Sequence, residues 1–207
     1  MQKKSLNFKN EGSNALQVLA TVILGLLVAF ALFRIFFGIN YFGVYVVGAS
    51  MEGTLNGAES KYSEGGDYVY AMRSANPRRG DIVVIKIDSE PDPIIKRVIA
   101  LGGDTVALKE GVLYLNGVEV SEPYVDARNN SADDKRNTYP ETVVPEGYMF
   151  FLGDNRNVSV DSRSDKYGMM PVSKTLGVVA NWSMSCKGTV TAVNTFFDFK
   201  MGLRGNN

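Results

Sequence analysis

Ala15 to Phe33 reads ALQVLATVILGLLVAFALF, and this stretch divides the chain. Only Gln17 and Thr21 bring polar groups into it, and it carries no charge. As a helix its 19 residues rise roughly 28 Å, close to the hydrocarbon thickness of a bilayer. A helix on a soluble core is apolar along one stripe, whereas this run is apolar on every face. A cleaved secretory signal has a shorter apolar core, and further apolar sequence follows Arg34. The reading is an uncleaved single-pass anchor over residues 15–37. Lys3, Lys4 and Lys9 precede the run and Arg34 alone follows closely. The excess of positive charge predicts residues 1–14 in the cytoplasm and residues 38–207 outside. The lipid bilayer is therefore one expected partner.

Beyond the anchor, apolar residues come in short runs separated by turns. Tyr68–Tyr70, Ile82–Ile87, Ile94–Leu101, Val112–Leu115 and Met149–Leu152 read as strands. Gly-Asp steps at 66–67, 80–81, 103–104 and 153–154 punctuate them. Asn116-Gly117 between apolar residues predicts a hairpin. The fold class expected is mostly β, a β outer domain following one transmembrane helix. Asp126 to Asn137 (DARNNSADDKRN) is polar and reads as a mobile loop within residues 38–207. Thr195–Phe199 reads as a last strand or an interfacial contact.

Composition narrows the chemistry. The 22 basic and 22 acidic residues cancel, so no whole-chain field for nucleic acid is expected. Cys186 is the single cysteine and there is no histidine, which leaves no Cys/His metal cluster and no Ser-His-Asp triad. No metal or other cofactor is expected. A nucleophilic serine would need another base, and lysine, aspartate, glutamate and the terminal amine remain.

Ser50 ends an extended stretch, Gly43 to Ala49, and Gly48 leaves bare backbone two positions before it. Such backbone admits a substrate chain or an oxyanion. Lys96 sits in Pro93-Ile94-Ile95-Lys96-Arg97-Val98, sharing a strand face with Ile94 and Val98. Burial among branched apolar residues lowers an ammonium pKa, and a base near neutral pH needs a drop of about 3 units. Arg97 stays protonated and cannot take that role. Gly153 to Arg163 (GDNRNVSVDSR) gathers charged, amide and hydroxyl groups. On a strand Ser159, Asp161 and Arg163 share a face, where the last two can pair.

In this order the three pieces resemble type I signal peptidase, the membrane-anchored leader peptidase. The resemblance runs through the anchor, Gly48-Ala49-Ser50-Met51, Arg79-Gly80-Asp81, Lys96-Arg97-Val98 and the block 153–163, which fits the family pattern GDNRxxSxDSR. It implies a membrane-bound serine endopeptidase that removes signal peptides from exported preproteins through an acyl-enzyme. Ser50 corresponds to the nucleophile and Lys96 to the general base. Ser159 corresponds to a serine that orients the lysine, and Asp161 and Arg163 to a supporting pair. The Ser50 N–H would be one oxyanion donor, and Gly48 stands where some relatives offer a hydroxyl. The expected substrates carry small residues before the cut. Gly53 stands where the family usually has proline, and Gly102 where proline is common. A self-cleaving Ser-Lys repressor is disfavoured by the membrane run and the Gly-Asp-Asn-Arg block. A weak or inactive membrane-anchored homologue assisting pilus or surface-protein assembly is the alternative, disfavoured by the joint presence of Ser50 and Lys96.

Overall fold

The computed structural model describes residues 8–73 and 76–201. Lys3 and Lys4, which carry the orientation argument, lie outside the described residues. The chain divides into two compact units at Asn40/Tyr41. The first holds α1 (Phe8–Asn40), which continues past the expected end at 37. No glycine-proline break stops it there, and Gly38 is tolerated within it. Residues Asn14–Asn40 form the one helix, among the described residues, long and apolar enough to cross a membrane. Its large side chains, Leu16 and Leu26 among them, are exposed.

The second unit is mostly β. In chain order it holds β1 (Tyr41–Tyr45), β2 (Tyr68–Met72), β3 (Ile82–Ile85), β4 (Ile94–Leu101), β5 (Thr105–Lys109), β6 (Val112–Leu115), β7 (Val118–Val120), β8 (Tyr139–Val143), β9 (Tyr148–Leu152), β10 (Met170–Pro171) and β11 (Thr175–Val179), then α2 (Asn181–Ser185) and α3 (Lys187–Met201). A seven-stranded sheet runs β1-β2-β11-β3-β4-β9-β10, and a four-stranded sheet runs β7-β6-β5-β8. The smaller sheet lies in sequence between β4 and β9, so β4 feeds both sheets. Gly103, at φ 88, makes the turn that lets it do so.

β4 lies between β3 and β9, with Val83 opposite Lys96 and Leu152 opposite Arg97. Strands on both sides, and buried residues from Ile95 to Ala100, explain its unbroken apolar run. Ile99, Val106, Leu108, Phe150 and Leu152 form a core shared by the two sheets. Val46, Met51, Leu55, Val69, Ile82 and Ile95 form a second cluster. Full burial of Met51 and Leu55 contributes about 1.5–3 kcal/mol each, and it fixes the chain on either side of the turn after Ser50.

The Asn116-Gly117 hairpin forms as expected, with both residues at positive φ (54 and 78) as a two-residue turn requires. Three expectations change. The segment holding Thr195 to Phe199 belongs to helix α3, not to a last strand. Thr191 of α3 and Ser183 of α2 lie beside the part of β2 that β11 does not pair, where Thr191 Oγ1 accepts from Tyr68 N and Ser183 Oγ from Tyr70 N. Residues 126–137 contain two short 3-10 turns, each capped by an aspartate, Asp126 and Asp134. That segment is tied to the block at 153–163: Asn157 Oδ1 accepts from Ser131 N and Asn137 Nδ2. Ser159, Asp161 and Arg163 lie on a bent and turning segment rather than a strand.

Candidate active site

Gly48 has φ 80 and ψ 162, a region open essentially to glycine alone. It delivers the chain into a single 3-10 turn, Ala49–Met51, so Ser50 sits on a turn rather than at the end of an extended strand. Met51 points into the core and Ser50 points the other way, toward β4. The space a Cβ would take at Gly48 is open, so the backbone beside Ser50 is approachable.

Lys96 Nζ lies 2.7 Å from Ser50 Oγ and 3.0 Å from the Ile95 carbonyl. The lysine is 5% exposed. Burial pushes its pKa down to about 8, while the negative charges of Asp161 and Asp154 oppose the shift. The predicted apolar setting is present: Val98 is fully buried and Ile94 half-buried.

Asp161 and Arg163 form a two-pronged pair, with both Arg163 Nε and Nη2 at 2.9 Å from the carboxylate. Asp161 Oδ2 also accepts from Gly153 N at 3.1 Å. Arg163 reaches the carbonyls of Arg136 and Arg156, so it joins the polar segment to the site. The pair therefore forms from a turn, because the arginine folds back on a carboxylate two residues earlier. Ser159 is buried beside Gly153, but its Oγ makes no hydrogen bond to Lys96. It has no hydrogen-bond partner among the described residues, which corrects the orienting contact implied by the resemblance. The tight spot here is Gly153. A Cβ on it would stand 2.3 Å from both Ser50 O and Ser159 Oγ, so only glycine lets this strand end meet the serine turn. Asn155 N, two residues on, donates to Ser50 O at 3.1 Å.

Several contributors escaped the sequence reading. Arg97, set aside as a base, makes a bidentate pair with Asp154 at 2.8 and 2.6 Å and donates to Gly80 O at 2.7 Å. Its guanidinium lies 3.8 Å from the centre of the Tyr124 ring. Thr54 Oγ1 donates to Asp154 Oδ2 at 2.5 Å. Arg156, fully buried, pairs with Glu122 at 2.8 and 2.6 Å and holds Gly153 O at 3.0 Å. Glu122 accepts the Tyr124 hydroxyl, and burial with that carboxylate pushes the phenol pKa up. The only sequence signal for these pairs was the density of charge in 153–163. Their partners lie far off in the chain.

A cleft of about 670 Å³ opens onto the pair, lined by Phe42, Val44 and Val47 on one side and Pro93, Ile95 and Lys96 on the other, with Ser50 between. Its walls are mainly apolar, and β1 and the start of β4 contribute residues to it. An extended peptide can lie along such a cleft with alternate side chains directed into it.

A hydroxyl against a desolvated lysine beside an apolar, peptide-sized cleft defines a class, the histidine-free serine hydrolases. The family model described as "Signal peptidase, peptidase S26" matches residues 16–183. The chain is 34% identical over 168 residues to signal peptidase I of Bacillus licheniformis, covering 79% of this chain and 84% of that one. It is 32% identical over 167 residues to signal peptidase I T of Bacillus subtilis, covering 78% and 79%. A crystal structure of a signal peptidase I from Enterococcus faecalis covers 51% of this chain and 98% of that one, at 32% identity and a TM-score of 0.44. The chain belongs to the signal peptidase family, peptidase S26, as a type I signal peptidase, and is a serine peptidase.

Proposed function

We propose that this chain removes signal peptides from exported preproteins with Ser50 as nucleophile and Lys96 as general base. The observation that carries the reading is the 2.7 Å contact between Lys96 Nζ and Ser50 Oγ at a lysine only 5% exposed. Neutral Lys96 takes the hydroxyl proton as Ser50 Oγ bonds to the scissile carbonyl carbon. The Ser50 backbone N–H donates to the developing oxyanion, while Gly48 N is engaged with Ala58 O at 2.8 Å. The protonated lysine then gives its proton to the leaving amine, the mature protein departs, and the signal peptide remains as an ester on Ser50. A water molecule loses a proton to Lys96 and adds to that ester. Collapse breaks the ester bond, the proton returns to Ser50, and the signal peptide leaves as an acid.

The supporting arrangement is that Asp161–Arg163 and Arg97–Asp154 hold the strand and turn on which the reacting groups ride. Ser159, with an unused buried hydroxyl, lies beside the Ser50 carbonyl next to Gly153 and lines the floor under the serine turn. Residues 15–37 anchor the chain, with 1–14 cytoplasmic and 38–207 outside, where the cleavage sites of exported chains emerge. Small side chains before the cut suit the mainly apolar cleft.

The test is processing of a preprotein by purified Ser50→Ala, Lys96→Ala and Lys96→Arg variants. Each is expected to leave the preprotein uncut, arginine because it cannot act as a neutral base. Full processing by any of them would overturn the dyad.

A further inference from the structure

The family match ends at residue 183, yet the chain continues into α3 and packs it on the catalytic unit. Lys187, the first residue of α3, reaches out of the helix to the segment that follows the nucleophile. Its Nζ lies 2.7 Å from Thr54 O and 3.0 Å from Asp67 Oδ2. Asp67 is itself buried and accepts from Asn56 N at 2.8 Å, so one lysine and one carboxylate close around residues 54–56.

Burial of Met51 and Leu55 holds the turn after Ser50 at its two ends, and the polar contacts act on the residues between them. Gly53, at φ 100, lies between the nucleophile and Thr54, and its missing side chain leaves the backbone unusually free. On the other side of the same residue, the Thr54 hydroxyl donates to Asp154, which pairs with Arg97, the neighbour of Lys96. Thr54 is thus fixed through its carbonyl from α3 and through its hydroxyl from the Lys96 side. Loss of either contact removes a polar restraint from a turn otherwise held by the burial of Met51 and Leu55.

We infer that Lys187 is a positioning residue: α3 clamps the turn after Ser50 through the Thr54 carbonyl and so holds the nucleophile at its 2.7 Å approach to Lys96. The inference rests on the Ser50–Lys96 reading. Lys187 touches no substrate, and it acts by keeping Oγ where the base can reach it. Misplacement of reacting groups by even an ångström costs up to about a hundredfold in rate. A single charge-assisted contact on a neighbouring turn accounts for a smaller part, about tenfold.

The experiment uses the full chain in detergent and a peptide substrate with alanine at the first and third positions before the cut. Functional sites are counted by a serine-reactive acylating probe, so that kcat is read per titrated Ser50. Lys187→Met removes the donor and keeps the stem. The double variant Lys187→Met, Asp67→Asn also removes the carboxylate that would be left without its cation. Both are expected to lower kcat per titrated site about tenfold with KM within about twofold, and Lys187→Arg is expected to restore most of it. A role in folding alone would lower the thermal midpoint or the fraction titrated and leave kcat per site unchanged. That result in the double variant overturns the clamp. Processing by Ser50→Ala or Lys96→Ala under the same conditions overturns the dyad instead, so the two failures are separable.

Discussion

Replacing Lys96 by methionine should inactivate the enzyme and stabilise it, and the amount should depend on pH in a set way. The folded lysine titrates near 8 against an ordinary value of 10.5. The fall from 10.5 to about 8 corresponds to about 3 kcal/mol of unfavourable burial of the ammonium. Below pH 8 both folded and unfolded lysine are protonated, and the penalty is fully present. Between pH 8 and 10.5 the unfolded lysine holds a proton that the folded one has lost, so wild-type stability rises with pH across this window. Methionine has similar length and no charge, so Lys96→Met lacks this dependence. The variant's advantage over wild type is expected to be about 3 kcal/mol larger at pH 7 than at pH 10.5. Guanidinium unfolding in detergent, followed by the fluorescence of Trp182, the single tryptophan, measures it at each pH. The same group sets the acid limb of kcat/KM, which should rise to half its maximum near pH 8, with about a tenth of that maximum at pH 7. A stability difference that stays flat from pH 7 to 10.5, or an acid limb centred near 10, would refute the argument that burial makes Lys96 a base.

Gly153→Ala places a methyl 2.3 Å from Ser50 O and Ser159 Oγ, so peptide cleavage should fall at least a hundredfold, checked by assay on folded protein. Asp154→Ala strands the buried Arg97 guanidinium and should cost about 3–5 kcal/mol in chemical unfolding, since the arginine cannot shed its charge. Gly48→Ala meets no neighbour, but φ 80 with ψ 162 strains any side-chain-bearing residue by about 1–3 kcal/mol. Its effect should appear as reduced acylation by a serine-reactive probe.

Much of the site was readable because the chemistry restricts residue types. A chain without histidine that carries a serine past a glycine and a lysine inside a β-branched run points to both reacting groups. The support was less readable. Ser50 and Lys96 are 46 positions apart, Arg97 and Asp154 are 57, and Arg156 and Glu122 are 34. No local period joins such pairs, because they meet only when the serine turn, β4, the segment after β7 and the segment after β9 have come together. The same limit explains the polar stretch 126–137. Its composition reads as free loop, whereas Asn157 and Arg163 supply its hydrogen bonds from a distant segment.

By itself, the sequence determined one apolar helix of membrane length, a mostly β remainder, and the two residue types that can react. Local physics suffices for these: hydrophobic periodicity, glycine's access to positive φ and the proton affinities of side chains act within a few residues. The tertiary structure alone decided that Lys96 is desolvated against Ser50, that Ser159 stands beside the serine without bonding the lysine, and that Lys187–Met201 is a helix whose first residue reaches Thr54. Burial and long-range hydrogen bonds exist only after strands distant in the chain have come together, and there the pKa of the base is set.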